Sequence, residues 1–165
     1  MIKIVCNTSP IIGLSSIDKL DLLWEMFDTI IPKEVYNEVI SGSETKISGK
    51  EELTKAVEEG KIKIFEVEDQ EFINKIYGHL HKGELEVIVG AKEQNIEVVI
   101  IDEKSARKFA KDLGLKPIGI LGILKLAKLE AKIDKLKPYL DMLIQRKFRI
   151  SDSLYSNLIM EAGEI

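Results

Sequence analysis

Four side chains in this sequence have the types and placement that phosphodiester chemistry asks for: Asn7, Glu38, Glu84 and Asp102. Hydrolysis of a phosphodiester needs an activated water and stabilisation of the charge developing on the leaving oxygen. Clustered carboxylates meet both needs by holding a hard divalent cation, Mg2+ or Mn2+, through oxygen ligands. Three of the four residues are acids. The fourth, Asn7, follows the apolar run Ile2-Lys3-Ile4-Val5-Cys6, where a further carboxylate would complete a metal site. An amide oxygen coordinates a hard cation without adding charge, and it cannot accept a proton from water as a carboxylate can. Asn7 is therefore the residue on which activity turns.

Each position has a plainer reading beside the chemical one. Glu38 stands one helical turn after Glu34 and fits a solvated helix face. Glu84 falls in the first turn of an expected helix, where a carboxylate complements the helix dipole. Asp102 can cap the helix that follows it, and the two roles are compatible. Thr8 and Ser9 either cap the first helix or, for Thr8, hold residue 7 in place from behind. His79 and His81, two residues apart at a helix end, do not share a face. With Cys6 as the lone thiol, they give little support for zinc.

A cationic stretch follows Asp102. Lys104, Arg107, Lys108 and Lys111 recur at i, i+3, i+4 and i+7, which puts them on one helix face. Phosphate beside carboxylates and a cation needs such neighbours, and the planar guanidinium of Arg107 can grip it at two points. The alternative is a solvated basic face. Arg146, Lys147 and Arg149 form a second, smaller cluster. Aromatic residues make up 6% of the chain and form no stacking ladder, so nucleic acid would be held mainly by its phosphates and released by salt.

The whole chain shows the same polarity. Residues 1–103 carry 11 basic and 21 acidic side chains, a net of −10, whereas residues 104–149 carry a net of +9. An acidic region beside a basic one suits a cation site next to a phosphate site. At 165 residues, 45% hydrophobic and 32% charged, the sequence predicts one globular domain spanning 1–165. A single cysteine excludes an internal disulfide, and no apolar run reaches the length of a membrane span. A cytoplasmic protein is the simplest expectation. A basic set of 21 Lys and 3 Arg, with abundant Glu and Ile, points towards a thermophilic source, although an AT-rich genome gives the same bias.

The elements that must position these residues alternate strand and helix. Strands are expected at 2–6, 29–31, 62–67, 97–101 and 117–119. Helices are expected at 11–16, 20–27, 33–40, 51–59, 71–80, 83–94, 103–113, 120–131, 134–146 and 152–162, with a polar, mobile loop at 41–49. The run 97–101 lacks polar alternation, as strands of parallel sheets do. This order predicts an α/β fold, a parallel sheet flanked by helices on both faces. Asn7 and Asp102 then meet beyond the C-terminal ends of their strands.

The segments VCNTSPIIGLSSIDKLDLL, IPKEVYNEVI, HKGELEVIVGAKEQNIEVVIIDEKSARKFAKDLGLKPIGILGILKLAK and FRISDSLYSNLI, in this order, resemble PIN-domain proteins. The likeness is to a prokaryotic branch of uncharacterised PIN proteins whose first strand runs into Asp-Thr-Ser-Pro. It covers nearly the whole chain and is least distinctive over 41–60. The resemblance implies a three-layer α/β/α PIN-like domain and a Mg2+- or Mn2+-dependent ribonuclease, related to the VapC-type toxins of toxin–antitoxin pairs. By position it implies Glu38, Glu84 and Asp102 as metal ligands, with Asn7 in place of the usual Asp. Thr8, Glu86 and Glu103 would assist by supporting those ligands. Single-stranded RNA, an antitoxin protein and a homodimer contact, the last through the apolar faces of residues 11–27, are the partners it implies. Two alternatives accompany this expectation. One is a catalytically inactive PIN-like protein that binds nucleic acid or antitoxin. The other, a flavodoxin-like phosphoacceptor domain, is disfavoured because paired acids after the first strand are missing.

Overall fold

The computed structural model describes residues 1–42, 47–78 and 80–165. Its centre is the apolar run that precedes Asn7. Strand β1 (Ile2–Cys6) buries Ile4, Val5 and Cys6 completely and pairs on one side with β2 (Phe27–Pro32) and on the other with β4 (Val98–Ile100). Strands β3 (Lys63–Phe65) and β5 (Lys116–Ile118) add the two edges, giving the order β3-β2-β1-β4-β5 with every pairing parallel. From β1 the chain winds outward to β2 and β3, then crosses back to build β4 and β5. The winding direction therefore reverses between β1 and β4, and their C-terminal ends open the crevice where ligands of such sheets collect.

Ten helices complete the described residues: α1 (Thr8–Ser16), α2 (Leu22–Glu25), α3 (Lys33–Ile40), α4 (Ile47–Glu58), α5 (Gln70–Ile76), α6 (Lys82–Glu93), α7 (Lys104–Asp112), α8 (Ile120–Leu129), α9 (Lys137–Gln145) and α10 (Asp152–Glu161). They flank the sheet in the α/β/α arrangement that the alternation of elements predicts. Helix α6 is the most enclosed: residues Gly83–Ala91 are buried without a break, against β1, β2, β4 and helices α3, α5 and α7. A helix apolar all round belongs inside a domain. That makes Glu84 and Glu86, its two buried acids, informative.

Several boundaries differ from expectation, each for a physical reason. Helix α1 starts at Thr8 rather than Ile11, because Pro10 fits within a first turn whose amides have no helical partner. The second helix is cut to Leu22–Glu25, since Phe27 joins the sheet opposite Ile2. Parallel pairing overrides its helical spacing. Within the expected loop 41–49, residues 43–46 lie outside the described residues, and α4 already begins at Ile47. His79 is likewise outside them. The apolar faces expected at a homodimer contact are taken up by this chain's own core: Ile11, Leu14, Leu20 and Leu23 are fully buried.

Candidate functional site

The site grows from the β1–β4 seam. The Asn7 amide donates to the Ile100 carbonyl at 3.0 Å, extending the ladder one step past the Cys6–Ile100 pair. Asn7 keeps an extended backbone (φ −87°, ψ 171°) as the residue before α1, but its side chain makes no capping bond. The residue is 4% exposed. Neither Thr8 nor Ser9 caps the helix, because both already lie inside it.

Asp102 stands two residues beyond β4. Its Oδ1 accepts the Ile120 amide at 2.8 Å, so it does serve a helix start, that of α8 rather than α7. The carboxylate lies against bare backbone: a Cβ at Gly119 would come within 2.7 Å of Oδ1. Oδ2 is fully buried and, among the buried side-chain oxygens and nitrogens of the described residues, is the one left without a hydrogen-bond partner. Burial pushes the Asp102 pKa up, while the Ile120 amide and Arg107 pull against that rise. Arg107 is turned inward, its Nη1 donating to the Ile101 carbonyl at 3.2 Å. Next door, Cys6 is buried, and its thiol pKa is raised first by burial and then by the Asp102 charge.

Glu38 reaches the same edge from α3. Thr8 Oγ1 donates to Glu38 Oε1 at 2.5 Å, so its hydroxyl bonds Glu38 rather than residue 7. The Glu38 carboxylate packs on Gly83, where a Cβ would fall 2.9 Å from Oε2 and closer still to Oε1. Glu84, one residue on, accepts the His81 amide at 3.1 Å and so does tie down the start of α6. Its pKa is raised by burial, opposed by the His81 amide and charge, and raised further by Glu103 and Glu38. Glu84 therefore feels the charge of both other carboxylates. Glu103 is exposed and accepts the Ser105 amide at 3.1 Å, capping α7.

Glu86 faces the opposite wall of α6. It lines a pocket of about 350 Å³ with Lys33, Asn37, Gln70 and Lys82. Burial raises its pKa, Lys82 and Gln70 ease it, and Glu34 and Glu38 raise it again.

The donor set is all oxygen, which fits a hard divalent cation, and the unpartnered Asp102 Oδ2 is a ready ligand atom. The acids are gathered at one edge without closing. Among the described residues, no three of His, Cys, Asp and Glu stand within reach of one ion. Position 7 contributes an amide rather than a carboxylate, and Asp102 Oδ1 already accepts from Ile120.

Beside Asp102 and Glu103 opens a cleft of about 640 Å³. Ser9, Ile12, Gly13 and Ser16 of α1 line it together with Arg146, Lys147, Phe148 and Arg149. The second basic cluster thus shares a cleft with Asp102, a placement nothing local in the sequence signals. The α7 cations are arranged differently. Lys104, Lys108 and Lys111 face solvent while Arg107 faces Asp102, and Lys108 pairs with Asp112 at 3.2 Å.

No match was found among curated proteins or among solved structures. The family model DUF3368, described as a PIN domain, matches residues 3–164. That span takes in the whole sheet except Ile2, together with all four positions at its C-terminal edge, so this chain belongs to the PIN-domain family.

Proposed function

We propose that this protein is a metal-dependent endoribonuclease of PIN type, a toxin-like member whose activity Asn7 has weakened. The observation that carries this reading is the buried, unpartnered Oδ2 of Asp102 at the junction between the acidic edge and a cation-lined cleft. Leaving a buried carboxylate oxygen unpaired costs free energy, and a bound cation removes that cost. Glu38, Glu84, Asp102 and the amide oxygen of Asn7 would have to draw closer together to hold Mg2+ or Mn2+, since among the described residues no three of the acids reach one ion. The cation would supply charge stabilisation and lower the pKa of a water beside it.

The chain's own residues do the rest. Thr8 fixes the Glu38 carboxylate, and the Gly83 backbone leaves room for it. Ile120 and Gly119 fix Asp102. The charges of Glu103 and Glu38 both act against ionised Glu84, which makes a cation welcome beside it. The step is attack of water on phosphorus with departure of one ester oxygen, and it needs an acceptor for the water's proton. Asn7 cannot be that acceptor, so the remaining carboxylates serve less well. The second reading, a PIN-like protein that binds nucleic acid or an antitoxin without cutting, is favoured by Asn7 alone.

Single-stranded RNA incubated with Mn2+ and with Mg2+ separates the two. The expected result is slow, Mn2+-favoured cleavage, a gain of about 100-fold in Asn7→Asp, within the usual range for adding a proton acceptor, and loss in Asp102→Ala. If folded Asn7→Asp gains no cleavage while RNA is still bound, the non-catalytic reading replaces this one.

A further inference from the structure

We infer that the segment Arg146–Arg149 is the substrate-gripping wall of this site, with Phe148 stacking on an unpaired base, so that the site selects single-stranded over duplex nucleic acid. The inference rests on the nuclease reading above and extends it to residues that hold the strand.

Three observations converge. First, the segment shares the cleft with Asp102 and Glu103, which puts its cations in the same cleft as the acidic edge rather than on a remote face. Second, its charges have no carboxylate partner among the described residues. Lys108, Lys116, Lys125, Lys128 and Lys137 each pair with a carboxylate, whereas among the described residues Arg146, Lys147 and Arg149 do not. All three are exposed. Unpaired cations lining a groove track phosphates, and an aromatic ring among them supplies a face on which any base can stack. Phe148 is half-buried, packed against the core on one side while lining that groove.

Third, the segment is held in place. Arg146 Nε donates to the Ser16 carbonyl at 3.3 Å, and the amides of Lys147 and Phe148 donate to Ile144 and Leu143 at 3.0 Å each. A groove wall fixed in advance loses little freedom when a strand binds. Duplex nucleic acid would present phosphates to the same cations, but its stacked bases could not reach Phe148.

Lys147 provides the discriminating variant. Its φ of 73° lies in the left-handed region, where glycine is favoured. A merely structural role therefore predicts that Lys147→Gly is stabilised and unchanged in binding. The experiment is fluorescence anisotropy of the full chain with a labelled 12-nucleotide single-stranded RNA and with a duplex of the same length, in chelator and again with Mn2+. Lys147→Gly and Arg149→Gln should each weaken binding of the single strand about fivefold and reduce the salt slope by about 0.7 for each phosphate no longer neutralised. Phe148→Ala should weaken single-strand binding about tenfold and duplex binding little. Lys63→Gln, on the β3 edge, should change neither. If the parent binds the single strand and the folded segment variants bind it equally, the segment is not the wall. Equal loss on both probes in Phe148→Ala overturns base stacking. If the parent binds no RNA under any condition, the nuclease reading itself fails.

Discussion

At the scale of single residues, the site depends on contacts that leave no slack around the carboxylates. Gly83 is the sharpest case. Alanine is a better helix former by about 1 kcal/mol, yet its Cβ would displace the Glu38 carboxylate, the movable end of a long side chain. Gly83→Ala should therefore melt no lower than the parent while losing about tenfold or more in Mn2+ affinity, read by calorimetric titration. Unchanged metal binding would remove Glu38 from the ligand set. Asp102 offers a pH test. Its folded pKa is raised above the unfolded value, so ionisation destabilises the fold, and stability falls as pH rises from below about 4. Measured in chelator, the Tm difference between Asp102→Asn and the parent should shift in the variant's favour between about pH 3 and 7, roughly 2–4 °C for each 1 kcal/mol.

At the scale of elements, the question is how α6 is held so close to the sheet. Gly90 lets the Phe65 ring of β3 approach, and a Cβ there would fall 2.6 Å from ring atoms. Gly90→Val should cost about 2 kcal/mol by overpacking, checked by urea unfolding, and loosen the helix that carries Glu84 and Glu86.

Element identity is largely legible in the sequence, because apolar runs and helix caps are local. The span of α3, Lys33–Ile40, follows directly from Pro32 and the periodicity after it. Phe27 is not legible in this way, since its place in β2 is decided by a partner, Ile2, far away in sequence. The acids are legible as candidates, and their arrangement is not. Asp102's bond to Ile120, Arg107's inward turn and the apposition of Arg146–Arg149 all come from chain reversals between residues that carry no mark of their future neighbours.

At the scale of the whole molecule, the C-terminal helices are fastened by one carboxylate. Glu164 accepts the amides of Leu136 and Lys137 at 2.7 and 2.8 Å and pairs with Lys128, with its side chain 7% exposed. Burial opposes its ionisation, but the Leu136 amide, Lys128 and the Lys137 amide outweigh that and hold its pKa at about 2. Its stabilisation is thus fully present above the unfolded value near 4.5 and is lost as pH falls towards 2. Glu164→Gln should cost about 2 kcal/mol at pH 7 and nothing near pH 2, measured by denaturant titration across that range. A constant deficit would mean the charge is not what matters.

The strand order also sets a clock. Strand β1 meets β2 early in synthesis, but its other neighbour, β4, ends at Ile100, and Asp102 follows it. At roughly 5–20 residues per second, a ribosome has many seconds of work left after Asn7 emerges before Asp102 can stand beside it. On the nuclease reading proposed above, a chain built on this plan would be harmless first and armed late, and its own message would be shielded during most of its translation.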